Sequence, residues 1–154
     1  MSEGRFQVRR AQVDDWSDWA TLRLELWPDS ETDMVDLLEL IEGEGNTCLL
    51  AFDAAGQAVG LAEASLRHDY VNGTSTSPVG FLEGWYVRDV ARNQGIGRGL
   101  IEAVARWAKA CGCTELASDT AQDNRAAQDA HRACGFTETE RVVYYCMPLP
   151  TEPA

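Results

Sequence analysis

The sequence predicts an α/β domain with a mixed central β-sheet flanked by helices. Three observations lead there. Stretches with apolar residues at period two and stretches with apolar residues at helical spacing follow one another in the order β-α-α-β-β-β-α-β-α-β. A glycine-rich loop, "RNQGIG" at residues 92–97, joins a strand pattern to an amphipathic helix pattern. The composition is that of a globular chain, 45% apolar and 25% charged over 154 residues, with no repeat or linker to divide it. A single domain over residues 1–154 is therefore expected.

Each element has its own signal. "FQVRRA", from Phe6, is a short strand. Asp14 is placed to cap a helix bearing Trp16, Trp19, Ala20, Leu22 and Leu26, which Pro28 stops just after Trp27. Met34, Leu37, Leu38 and Ile41 mark a second helix, ended by Gly43 and Gly45. "NTCLLAFD" and "AVGLAEASLRHDY" read as strands joined by the "AAGQ" turn. Residues 69–78 are polar and contain an Asn-Gly step, so they form a loop. "GFLEGWYV" is a strand, and the helix after the glycine loop sets Leu100, Val104, Trp107, Ala108 and Cys111 on one face. "CTELASD" is a strand, "NRAAQDAHRAC" a helix between Asn124 and Gly135, and "FTETERVVYYCMPL" a final strand.

Charge and composition exclude several classes. The formal net charge of −12 argues against binding to nucleic acid or to an anionic membrane surface, and suits a cationic ligand. No apolar run approaches the roughly 20 residues of a membrane span. "MSEGRFQVRR" lacks the apolar core of a signal peptide, so a cytoplasmic location is expected. The five cysteines are scattered, without a C-x-x-C pair, and only two histidines are present. That composition implies free thiols and no metal.

A glycine loop opening a helix binds anions, because the first helical amides lack internal partners. Two familiar phosphate loops fail on spacing. A P-loop requires G-x-x-x-x-G-K-[ST], and no lysine or Ser/Thr stands in place. A dinucleotide fingerprint requires a third glycine where Leu100 stands. What remains is R-x-x-G-x-G between strand and helix, which fits a diphosphate cradle or a ligand-free turn.

Strand "FLEGWYV", loop "RNQGIG", a helix, a strand, then "N…A…H…GF" and a last strand resemble the GNAT acetyltransferase superfamily. Four longer stretches, "LWPDS", "AEASLRHDYVNGTSTSPVGFLEGWYV", "ELASDTAQDN" and "GFTETERVVYY", are similar to the compact aminoglycoside 6'-N-acetyltransferases of the antibiotic-resistance type. The resemblance implies the GNAT fold and transfer of acetyl from acetyl-CoA to the 6'-amine of a polycationic aminoglycoside. It implies that Trp85, Tyr86 and Val87 line the thioester and pantetheine. Arg92, Gln94, Gly95, Ile96, Gly97 and Arg98 would belong to the pyrophosphate loop, and Asn124 would reach the pantetheine end. It also implies a homodimer, through the "YVNG" loop and the final strand.

On the substrate side, Glu83 alternates with Phe81, Trp85 and Val87 and needs a partner there. That partner is either a structural arginine or the ammonium groups of the substrate. Asp119, ending its strand, is the candidate to accept the proton of the attacking amine, with a turn or cap aspartate as the alternative. The resemblance assigns Glu140 and Tyr70 to the substrate site. Trp27 would stack on sugar rings or belong to the core. Ser30 stands where relatives can carry a histidine after "LWPD", which bears on selectivity. His131 replaces the superfamily's usual tyrosine before "GF"; it would protonate the leaving thiolate or simply pack the helix. Two other functions stay open: acetylation of a polyamine or a peptide N-terminus on the same fold, and a non-catalytic coenzyme-A-binding sensor.

Overall fold

The computed structural model describes residues 6–30 and 34–152. Readings that rest on residues 1–5 or on the side chain of Met34 lie outside the described residues. Five strands, β1 (Phe6–Arg10), β2 (Asn46–Asp53), β3 (Ala58–Arg67), β4 (Val79–Val87) and β5 (Leu116–Ser118), form one sheet in chain order. The first three pairings are antiparallel and β4–β5 is parallel, so the sheet is mixed as expected. The parallel step requires a crossover, and α3 (Ile96–Ala110) supplies it.

Helices cover both faces. On one, Leu49, Ala51, Ala62 and Leu82 meet Ile96, Leu100, Ile101 and Val104 of α3. On the other, α1 (Trp16–Leu26) and α2 (Met34–Glu42) bury Trp19, Leu22 and Leu37 against Cys48, Leu50 and Leu61. α4 (Arg125–Ala133) follows β5. The helix starts differ in one detail from expectation. A single 3-10 turn, Val13–Asp15, precedes α1. Asp15, not Asp14, is the acid that organises the entry: its carboxylate accepts both terminal nitrogens of Arg9, at 2.7 and 2.9 Å, and the Gln12 amide at 2.8 Å. The Arg9 guanidinium holds that carboxyl below the usual aspartate range, against the opposing effect of burial.

The expected final strand does not form. Residues 136–152 carry no strand, and Val143, Tyr144, Tyr145, Met147 and Leu149 lie exposed. Strand pattern alone cannot make a strand; it needs a paired edge and something to cover its apolar side chains. Val142 and Tyr144 point one way along an extended chain and Val143 and Tyr145 the other, so both faces are apolar. A single chain covers neither.

Candidate active site

The glycine loop is built for an anion. Asn93 and Gly95 both adopt left-handed backbone, at φ 64° and 83°. Gly95 is the N-cap of α3 and offers no side chain to its free amides. The first helical bond runs from the Gly99 amide to the Gly95 carbonyl at 2.9 Å, which leaves the amides of Ile96, Gly97 and Arg98 ahead of the ladder. Three convergent N–H groups at the positive end of a helix suit a pyrophosphate. The neighbouring arginines brace the loop. Arg92 donates from Nε to the Val87 carbonyl at 3.0 Å and pairs with Asp89, while Arg98 donates to the Ala133 carbonyl and ties α3 to α4. Gln94 is exposed beside them.

Next to the cradle the sheet opens. β4 and β5 pair only at Gly80 with Leu116, Phe81 with Ala117 and Leu82 with Ser118. The following residue, Glu83, is a bulge: Gly84 pairs with Glu63 and Leu82 with Ala64, so Glu83 has no partner on β3. The bulge reverses the alternation beyond it. Trp85 and Val87 pack with Leu82 toward α3, and Phe81 packs with Val71 and Val79 on the opposite face. The expectation that Glu83 shares a face with Phe81, Trp85 and Val87 is therefore corrected. It assumed an uninterrupted period of two.

Trp85 donates from Nε1 to the Gly97 carbonyl at 3.2 Å, so its ring sits directly against the cradle. Tyr86 points away. Its hydroxyl donates to Glu25 at 2.9 Å on the α1 side, where Arg88 also holds Glu25 through two bonds of 2.9 and 3.0 Å. Its side chain cannot line a groove on the Trp85 face; only its backbone is placed to do so. Asn124 is the N-cap of α4, its side-chain oxygen accepting the Ala127 amide at 3.1 Å. The amide NH2 of Asn124 is what remains for a ligand.

A cleft of about 790 Å³ runs past the end of β5. It brings together Tyr70, Asp119 and Glu140, from the loop before β4, the turn after β5 and the C-terminal segment. All three are exposed. The cleft also contains a pair that the sequence did not reveal: Ser118 Oγ lies 2.8 Å from His131 Nε2. His131 Nδ1 is 2.6 Å from the Ala127 carbonyl, an acceptor only, so Nδ1 carries a proton. The imidazole packs edge-on against Trp85, 5.3 Å between centroids, and against Phe136 at 5.1 Å.

Trp27 and Ser30 lie outside the cleft, at Gly84 on the α1 side of β4, and Glu83 does not line the cleft either. Ser30 closes the turn after α1, its hydroxyl donating to the Trp27 carbonyl at 2.7 Å. Trp27 is half-buried against the bulge, and Gly84 makes its position possible. A Cβ on Gly84 would fall 2.5 Å from Trp27 Cη2. Arg23 stacks over the same ring at 5.2 Å and forms an ion pair of 2.7 Å with buried Glu63, which also accepts the Trp19 indole N–H at 2.9 Å. Burial pushes the Glu63 carboxyl up, opposed by Trp19 and Arg23. Glu83 meets Arg67, so the structural-arginine alternative is present in the fold. Residues that sequence reasoning missed are Arg67, Gly84, Asn93 and Ser118. Asn93 alone carried a usable signal, since asparagine tolerates left-handed backbone.

Among the described residues, no group of three or more His, Cys, Asp or Glu side chains could hold a metal ion, and no helix is long and apolar enough to cross a membrane.

With this geometry in place, comparison with known proteins is direct. The sequence profile described as "Acetyltransferase (GNAT) family" matches residues 8–136. The chain is 51% identical over 142 residues to a protein of Stenotrophomonas maltophilia named aminoglycoside N(6')-acetyltransferase type 1, covering 92% of this chain and 93% of that one. It superposes on the crystal structure of the aminoglycoside antibiotic 6'-N-acetyltransferase AAC(6')-Ih from Acinetobacter baumannii with a TM-score of 0.89 at 44% identity, covering 94% of this chain and 99% of that one. It superposes equally well, at 41% identity and with the same coverage, on AAC(6')-Iy in complex with the bisubstrate analogue CoA-S-monomethyl-acetylneamine.

Proposed function

The chain belongs to the GNAT acetyltransferase family, and on that premise we propose that it transfers acetyl from acetyl-CoA to the 6'-amine of aminoglycoside antibiotics and so confers resistance to them. The observation that carries this reading is the adjoining of two features: an amide cradle at the start of α3 and a cleft bearing the carboxylates of Asp119 and Glu140 beside the opening between β4 and β5. Supporting it are relatives at 40–51% identity that bear this name.

Acetyl-CoA supplies the acetyl group as a thioester. In this reading the amides of Ile96, Gly97 and Arg98 hold the pyrophosphate, with Gln94 beside them, and Trp85 and Val87 line the pantetheine arm where β4 leaves β5. The NH2 of Asn124 reaches the same arm. Tyr70, Asp119 and Glu140 receive the cationic sugar, Trp27 offers it an aromatic face, and Glu83 supplies a further carboxylate. An alkylammonium is protonated at neutral pH, with a pKa of ~10, and must lose its proton to attack. Asp119 accepts that proton, directly or through one water. Holding amine and thioester together supplies much of the rate by positioning. Ser118 and His131 stand at the parting of the strands, where a proton can be delivered to the departing thiolate.

The exposed C-terminal segment completes the proposal. Its two apolar faces and the unpaired outer edge of β5 fit a homodimer in which each segment packs on the partner subunit. Sedimentation at micromolar concentration reads this; a monomer overturns it. The five cysteines are all free, consistent with the reducing cytoplasm in which acetyl-CoA is available.

The test is thiol release from acetyl-CoA with neomycin and with paromomycin, which carry an amine and a hydroxyl respectively at the 6' position. Turnover with neomycin alone supports the proposal. Equal turnover with both moves the reacting amine elsewhere on the sugar. No release with either, despite binding of acetyl-CoA, sinks the catalytic reading.

A further inference from the structure

Arg67, Arg132 and Arg141 line the cleft, and the first of them already occupies a candidate substrate carboxylate. Arg67, the last residue of β3, sits over the Phe81 ring with its guanidinium carbon 3.6 Å from the ring centre. From there it reaches Glu83 through Nε at 3.3 Å and through Nη2 at 3.0 and 3.1 Å. Ser65 Oγ donates to the same carboxylate at 2.5 Å. Arg67 and Phe81 line the cleft, whereas Glu83 does not, so the guanidinium stands between the cleft and the carboxylate. The pair is accessible: the two side chains keep 43% and 36% of their exposure. Exposed ion pairs of this kind are weak and exchange readily.

We propose that Arg67 is a specificity-determining residue whose guanidinium keeps, on Glu83, the place that an ammonium group of the substrate takes on binding. The inference rests on the aminoglycoside reading above. Replacing one cation by another leaves the charge balance at Glu83 unchanged, and Arg67 swings on its flexible stem into solvent. A neutral hydroxyl offers no such exchange, because taking the place of Arg67 would leave the Glu83 carboxylate without a countercharge. The ion pair therefore excludes uncharged sugars as well as storing an acceptor for charged ones. The bulge makes this possible, since Glu83 has no strand-pairing partner on β3 and its carboxylate is met instead by the side chains of Ser65 and Arg67.

The test uses the full-length enzyme, neomycin as the varied substrate at saturating acetyl-CoA, and calorimetric titration of neomycin onto the enzyme with CoA bound. R67Q is expected to tighten neomycin about three- to tenfold, by removing the competitor, and R67K, which keeps the charge but loses the forked and ring-stacked contact, to fall between R67Q and the parent. E83Q is expected to weaken it by about tenfold or more, because the acceptor is lost and the guanidinium is released into the cleft. In the E83Q background R67Q is expected to give a smaller gain than in the parent, because the carboxylate that Arg67 competed for is gone; equal gains in both backgrounds are what independent roles would produce. Weaker neomycin binding by R67Q, or strictly additive effects in the double variant, overturns the proposal. Absence of turnover by the parent enzyme overturns the aminoglycoside reading itself and is recognised before any variant is made.

Discussion

Gly95 and Gly56 provide a matched pair for testing the cradle. Both adopt left-handed backbone, φ 83° at Gly95 and 81° at Gly56, and neither has an atom within 4 Å of where a Cβ would stand. Alanine at either position meets no clash, only the torsional cost of its conformation. That cost is about 1–2 kcal/mol. The stiffer unfolded chain offsets about 0.4–1 kcal/mol of it. Each variant should therefore lose about 1 kcal/mol of stability, a fall in Tm of about 2–4 °C for a chain of this size. Binding separates them. Gly56 lies in the β2–β3 turn, while Gly95 sets the direction of the Ile96, Gly97 and Arg98 amides. Hydrogen bonds to a charged group are worth about 1.5–3 kcal/mol each, so misdirecting one should raise the KM for acetyl-CoA by about 10- to 100-fold. Thiol release at saturating neomycin, with acetyl-CoA varied, measures it for Gly95→Ala and Gly56→Ala alike. Equal KM changes in the two variants would refute the assignment, because strain alone would then explain both.

Two further outcomes follow from the geometry. Asp119→Asn keeps the shape of the turn after β5 but cannot accept a proton; kcat with neomycin should fall about 100-fold and KM should rise as well, since the carboxylate also receives the cationic sugar, and an unchanged kcat removes Asp119 from its role. Asp15→Asn should destabilise the fold by about 1–2 kcal/mol at neutral pH, since its carboxylate accepts Arg9 and the Gln12 amide. Its folded pKa lies below the unfolded one, so its contribution is complete above about pH 4 and is lost as pH falls through the folded value. Urea midpoints of parent and variant should differ at pH 6 and draw together as pH falls below about 4; a gap that stays constant refutes the linkage.

What could be read from the sequence was what depends on neighbours along the chain. Helix and strand positions follow from spacing, and the cradle follows from Gly95 and Gly97 before an amphipathic helix. Tyr70 and Glu140 entered through resemblance and Asp119 through its place at the end of a strand, and the fold then brought all three to one cleft. The final strand was misread because "RVVYYCM" contains a strand's pattern without the edge that would satisfy it. Such an edge belongs to tertiary or quaternary structure and leaves no mark on the segment itself. The Ser118–His131 pair was hidden for a related reason: its members are thirteen residues apart on different elements, and neither is unusual where it stands.

The bulge at Glu83 accounts for the errors on β4 and for much of the site. One extra residue on β4 turns Trp85 instead of Tyr86 toward the cradle, where its indole can hold the Gly97 carbonyl. It coincides with the end of the β4–β5 pairing, so the sheet opens beside the cradle and not farther along the strand. Gly84 comes next and admits the ring of Trp27. Glu83 itself, freed from the ladder, becomes the carboxylate that Arg67 occupies. Straightening β4 by deleting one residue would exchange the faces of all that follows, because the side-chain period is two. Chemistry on both sides of the strand thus depends on an irregularity that an alternating pattern, read by itself, can only miss.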